Sequence, residues 1–231
     1  MTACRYNSRR ENSNMRTIID TADRSTGSTL LIALLSGSYS EPEDFVREGF
    51  PEAVRAQGID AEVAMAEVRA AWFADGTIVE RIRECVVLPA RERGRSRVWL
   101  VGVSLGGLAA LSYAARHEGD VEGILLISPY PATREVLREM DEAGGLGHWK
   151  PAIPPEGDLE REAWLWLAAG REGHPPVHCY FASGDRFAPG QRRMAQTLAP
   201  DRVREMPGGH DWKAWRELWN EFLCSRKAAL Q

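Results

Sequence analysis

The stretch that most constrains this chain is residues 98–112, "VWLVGVSLGGLAALS". A continuous apolar run suits a strand buried on both faces. Here the run stops at a serine fenced by glycines and turns straight into small residues that read as a helix. A strand can reverse into a helix that sharply only where side chains are absent, and Gly102, Gly106 and Gly107 supply the room. The G-x-S-x-G spacing puts Ser104 at the tip of the turn. The free amides and positive end of the following helix then lie where negative charge would build on an attacked carbonyl.

The rest of the chain alternates in the same two textures. Residues 30–35 ("LLIALL") read as a strand, residues 42–57 as a helix that Gly49 and Pro51 interrupt, residues 59–67 as a strand and residues 75–89 as a helix. After the strand at 97–103 comes a helix to His117, then strands at 121–128 and 177–183, a helix at 191–198, a short strand at 202–206 and a last helix over 211–227. Strand and helix in turn, with apolar strands, predict an α/β fold with a mostly parallel sheet covered on both faces. Residues 28–228 form that domain, whereas residues 1–27 are polar and pattern-poor, a tail or a marginal first strand with Met15 as a second candidate start. Between 129 and 175 the rhythm breaks into a proline-rich segment with two helical stretches, 133–142 and 159–169, which reads as a cap over the strand ends.

A chain of 231 residues is long enough for one large core. With 29 Lys+Arg against 33 Asp+Glu the net charge is -4, which argues against a nucleic-acid partner. No apolar run reaches the roughly 18 residues a membrane span needs. Four dispersed cysteines without a C-x-x-C pair, and no leader pattern, point to the cytoplasm.

A serine hydroxyl is a weak nucleophile and needs a base, and the base needs a third group to orient it. After an elbow serine, the acid and then the histidine are expected beyond later strands. Asp185 follows "VHCYFAS" and His210 follows "RVREM", so Ser104, Asp185 and His210 are the candidate catalytic residues. The other histidines fit less well. His117 ends the elbow helix, His148 and His174 lie in or beside the cap, and His178 is inside a strand, where a packed ring with a satisfied hydrogen bond is expected. Asp211 reads as a helix cap. The oxyanion donors expected are the amide of Leu105 and, from the loop after the first clear strand, that of Ser38, with Tyr39 next in line and a candidate substrate contact.

Within this pattern, "GVSLGGLAALSYAARHEGDVEGILLISP" and "GGHDWKAWR" are similar to the α/β-hydrolase superfamily, and in it to serine esterases of the esterase D and enterobactin esterase type. The resemblance spans roughly residues 30–228 and implies the triad Ser104, Asp185 and His210. Ser36 stands where many members have histidine, and the opening strands of the full fold look short or absent.

Two further features complete the reading. The run Arg91, Arg93, Arg95 and Arg97 precedes the elbow strand, at the far edge of the sheet, and reads as a solvated loop rather than a phosphate site. Trp212, Trp215 and Trp219 recur at helical spacing and read as packing, while Trp149 and Trp164 in the cap either line a substrate pocket or fasten the cap. On the pocket reading, the substrate is uncharged and fairly apolar. No metal constellation or dinucleotide motif is present, so no cofactor is expected. The chemistry predicted is hydrolysis of a small-molecule ester or thioester through an acyl-enzyme. A thioesterase for carrier-bound or CoA-bound chains, and a ligand-binding protein on a hydrolase fold, are the alternatives, and a homodimer is left open.

Overall fold

The computed structural model describes residues 2–3, 15–21, 27–151, 157–170 and 172–231. Eight strands form one sheet: β1 (Thr2–Ala3), β2 (Arg16–Thr21), β3 (Leu30–Leu35), β4 (Glu62–Ala66), β5 (Arg97–Val103), β6 (Gly123–Ile127), β7 (Val177–Ala182) and β8 (Val203–Met206). Their order is β1-β2-β4-β3-β5-β6-β7-β8. β2 runs antiparallel to both β1 and β4, and every pairing from β4 to β8 is parallel.

The helices are α1 (Pro42–Arg47), α2 (Phe50–Ala56), α3 (Ala71–Ala74), α4 (Ile78–Ile82), α5 (Leu88–Glu92), α6 (Leu105–His117), α7 (Arg134–Glu142), α8 (Leu159–Ala169), α9 (Ala188–Ala195) and α10 (Trp212–Ser225). The break between α1 and α2 falls at Gly49, whose φ of 76° suits a residue without a Cβ, and Pro51 sits in the first turn of α2. α4 and α5 are joined by a wider turn, Arg83–Val87, in which the Leu88 amide donates to Arg83 O. Pro89 accounts for it, because proline offers no N–H and its ring crowds the carbonyl one turn back.

Both faces of the sheet are buried, as the apolar strands require. In β3, Leu31, Ala33 and Leu35 point into one core with the α4–α6 side and α8, while Leu30, Ile32 and Leu34 point into the other with α1, α2 and α10. The α10 stripe Trp215, Leu218, Trp219, Phe222 and Leu223 recurs every three to four residues and closes the second core.

Of the two readings of residues 1–27, a tail or a marginal first strand, the second describes β2. Ile18 packs against the second core and Met15, just before the strand, is fully buried in the first. "RTIIDT" carries only two apolar residues, Ile18 and Ile19, because this strand lies near the sheet's outer end, so hydrophobic run length understates it. Cys4, Pro154 and Pro155 lie outside the described residues.

The arginine run is solvated only in part: Arg91 and Arg93 are exposed, whereas Arg95 is buried. Arg93 and Arg95 both pair with Glu62, which is fully buried, Arg91 pairs with Asp120, and Arg97 pairs with Glu122. A buried carboxylate needs such partners, and these lie at the strand ends away from Ser104.

The strand order positions the site. From β3 the chain crosses to β4 on one side, then passes back over β3 to β5 and continues to β8 on the other side. Where the direction reverses, the loops leaving β3 and β5 diverge and open a crevice at the carboxyl ends of the strands. No helix among the described residues is long and apolar enough to cross a membrane.

Candidate active site

Ser104 sits between β5 and α6 with φ 52° and ψ -117°, a conformation that a non-glycine residue holds only when its surroundings enforce it. The glycines make the turn feasible. A Cβ on Gly102 would lie 2.2 Å from Gly106 O, and one on Gly106 would lie 2.1 Å from Leu35 O, so neither position accepts any side chain. The elbow is also pinned through its backbone: Ser104 N–H donates to Ile127 O at 3.0 Å, and Tyr130 N–H donates to Ser104 O at 2.8 Å.

His210 follows β8 and Asp185 follows β7, in the loops that the neighbouring parallel strands bring alongside β5 and β6. His210 Nε2 lies 3.0 Å from Ser104 Oγ, and His210 Nδ1 lies 2.7 Å from Asp185 Oδ2. A carboxylate only accepts, so Nδ1 carries the proton and donates, which leaves Nε2 to accept from the serine hydroxyl. Asp185 is almost wholly buried. Burial works against its charge, but hydrogen bonds from His210, the Phe187 amide and Gln191 outweigh it and hold the carboxyl below its usual range. His210 in turn is gripped edge-on between the rings of Phe187 and Trp215, each with its centre 5.1 Å away.

Leu105 is the first residue of α6 and has no helical acceptor one turn behind it, so its N–H is free. Ser38 lies in the loop between β3 and α1, beside Gly37, and both Ser38 and Leu105 line the cavity over Ser104. Ser36, at the root of that loop, accepts from Val68 N–H at 3.0 Å and donates to Gly37 O at 3.3 Å, which ties β3's exit to the segment after β4. Tyr39 is 97% exposed at the cavity mouth.

The cavity over Ser104 measures about 540 Å³. Ala70, Phe73, Leu105, Leu108 and Trp215 supply its apolar wall, and Tyr130, Glu160 and Arg186 its rim. Trp149 and Trp164 do not line it, which corrects the pocket reading. Both are buried in the first core, where Trp164 donates its indole N–H to Pro131 O at 2.8 Å. α8 lies along α6, with Arg116 on Glu162 at 2.7 Å and Trp166 donating to Glu118 at 2.8 Å, so the tryptophans of this segment face the body.

None of the other four histidines reaches the site. His117 lies 3.5 Å from Glu80, His148 is exposed, and His174 stacks on Trp166 at 5.0 Å. His178 is packed among Trp99, Tyr180 and Phe222, but its Nδ1 has no hydrogen-bond partner, contrary to the expected satisfied ring. Asp211 accepts from Ala214 N–H at 3.0 Å and caps α10. Among the described residues no group of three His, Cys, Asp or Glu side chains is arranged to hold a metal ion.

Comparison with known proteins fits this geometry. Residues 80–223, more than half of the chain, match the model of the family described as "Putative esterase". The chain belongs to the esterase family. The match runs from α4 through the elbow and both partner loops into α10, and it identifies the chain as an α/β-hydrolase that hydrolyses esters. Solved structures share the fold at low identity. Est1E from Butyrivibrio proteoclasticus is 15% identical, with a TM-score of 0.68 over 98% of this chain and 100% of that one. The fluorophosphonate-binding serine hydrolase FphF of Staphylococcus aureus is 14% identical, with a TM-score of 0.71 over 98% and 96%. An S-formylglutathione hydrolase from Agrobacterium tumefaciens is 13% identical, with a TM-score of 0.71 over 98% and 94%. No curated protein matches the chain by sequence.

Several residues of this esterase's site escaped sequence reading. Gln191 is fully buried on α9, and its Nε2 donates to both Asp185 Oδ2 and Pro129 O at 3.1 Å. Nothing in "APGQRRMA" singles it out. Trp215 was legible as an inward-facing residue of α10, yet helical spacing gives a face and not the neighbour on it. Phe187 and Arg186 stand immediately after Asp185, so the acid's position was the available pointer to them.

Proposed function

We propose that this esterase cleaves small-molecule carboxylic esters or thioesters through a covalent acyl-Ser104 intermediate. His210 Nε2 takes the hydroxyl proton as Ser104 Oγ bonds to the carbonyl carbon. The carbonyl electrons move onto oxygen, which the amides of Leu105 and Ser38 receive. Collapse breaks the bond to the leaving oxygen or sulfur, which departs with the proton from His210. Water then attacks the acyl group, gives a proton to His210, and the second collapse releases the acid and returns the proton to Ser104. Asp185 keeps the imidazole in the tautomer that this sequence needs.

The single observation that carries the reading is the unbroken chain from Ser104 through His210 to Asp185, at 3.0 and 2.7 Å. Gln191 and the Phe187 amide support it by fixing the far end of that chain. The dispersed free cysteines support a reducing compartment, the cytoplasm.

The reading is tested by mixing the enzyme with excess 4-nitrophenyl acetate and following both product and intact mass. A burst of nitrophenol with one acetyl group added to the peptide holding Ser104 is expected. In Asp185→Asn, kcat should fall by about 10⁴ because the imidazole is held in the wrong tautomer. An unchanged rate in that variant would refute the assigned roles.

A further inference from the structure

The proposed chemistry leaves one charge at the site unused. Arg186 directly follows Asp185, is exposed, and belongs to the cavity rim. Its guanidinium carbon lies 4.7 Å from the centre of the Phe187 ring, and Phe187 stands edge-on to both His210 and Tyr130, at 5.1 and 5.3 Å. The cation is therefore held one ring away from the imidazole, resting on a π-face that engages its charge but not its N–H fork.

Among the described residues no carboxylate pairs with Arg186. Its neighbours in the fold are treated differently: Arg161 pairs with Glu139, Arg192 with Glu205 and Arg193 with Asp141. The acid that precedes Arg186 in the chain and the acid that lines the cavity are both occupied. Asp185 is buried and bonded by His210, the Phe187 amide and Gln191. Glu160 Oε2 accepts from Thr133 N–H at 2.9 Å and from Thr133 Oγ at 2.8 Å, which commits it to the start of α7. What is left is an exposed guanidinium beside a wall that is otherwise largely apolar, with its planar N–H groups suited to bidentate pairing with a carboxylate.

We infer that Arg186 is a specificity-determining residue that receives a carboxylate carried by the substrate, set away from the scissile carbonyl. This replaces the uncharged substrate expected from the cap tryptophans, which the structure removes from the cavity. The inference rests on the esterase reading of Ser104. The carboxylate belongs either to the acyl part, as in the half-ester of a dicarboxylic acid, or to the alcohol part, as in the ester of a hydroxy acid.

Two substrate pairs separate these sources. The acyl pair is 4-nitrophenyl hydrogen glutarate against 4-nitrophenyl hexanoate, and the alcohol pair is 4-acetoxybenzoate against 4-acetoxybenzamide. In each, the readout is the ratio of kcat/KM for the anionic ester to that for the neutral one, in wild type, Arg186→Gln and Arg186→Lys. In one pair the wild-type ratio should exceed the Arg186→Gln ratio by about tenfold, mostly through KM, with Arg186→Lys between them because it keeps the charge and loses the fork. Melting curves check that each variant is folded. Ratios that are the same in wild type and Arg186→Gln for both pairs, while the neutral esters are still turned over, would overturn the inference and leave the esterase reading standing. A folded wild type that hydrolyses none of the four esters would bring down both.

Discussion

Two sets of tryptophans in this enzyme look alike in sequence and do opposite work. Trp149, Trp164 and Trp166 belong to the segment between β6 and β7, beside the catalytic loops, and composition invites a substrate pocket there. Trp212, Trp215 and Trp219 repeat along the last helix as packing residues do. In the fold the first set is buried against α6 and the body, while Trp215 from the second touches His210 and forms part of the cavity wall. Proximity in the chain to a functional loop therefore says little about which way a side chain faces. A helix that packs on the body can still present one residue to the site when it starts two residues after the catalytic histidine.

The comparison breaks most easily at Trp164. Truncating a fully buried tryptophan leaves a cavity and an unpaired Pro131 carbonyl, so Trp164→Ala should lose about 3–5 kcal/mol of stability in urea unfolding. The folded fraction should keep its KM for short and long acyl esters alike. A KM rise confined to long acyl chains would return Trp164 to the substrate pocket.

The second core supplies a pH signature on the acid side. Burial, with Arg226 and Arg202 adding to it, pushes the His178 imidazole down to about 4. Between that value and the ordinary one near 6.5 the unfolded chain binds the proton that the folded one refuses, so stability rises with pH across this window and is fully present above it. The loss on acidifying from pH 6.5 to 4 is at most about 3 kcal/mol from this group. His178→Phe, which keeps an aromatic ring among Trp99, Tyr180 and Phe222, should flatten that slope, and an unchanged slope would assign acid sensitivity to other groups.

Trp215→Leu gives the smallest of these effects and the most telling. It keeps much of the packing but removes the ring that stands edge-on to His210, so kcat/KM per folded molecule should fall about tenfold, or about 1.4 kcal/mol. Trp164→Leu should not show this fall. Equal losses in the two variants would erase the difference between the two sets.

How much of this was legible in the sequence follows from the range of the forces involved. The elbow is local: Gly102, Ser104 and Gly106 are fixed by clashes within one turn and with β3, and their spacing records it. Asp185 and His210 were legible through chain order, because each parallel strand delivers its loop to the same edge. β2 was not, since antiparallel pairing near a sheet's end tolerates polar residues and leaves no apolar run. The Glu62–Arg93–Arg95 cluster and the Gln191 bridge from Asp185 to Pro129 join residues far apart in the chain, and only the packed fold brings their partners into range.

The most direct test of the account is covalent labelling with a fluorophosphonate, followed by peptide mass spectrometry, on wild type and on folded His210→Ala. The account predicts rapid labelling of Ser104 in the wild type and its collapse in the variant, because the hydroxyl is reactive only while Nε2 accepts its proton. Labelling at another residue, or equal labelling in both proteins, would contradict it.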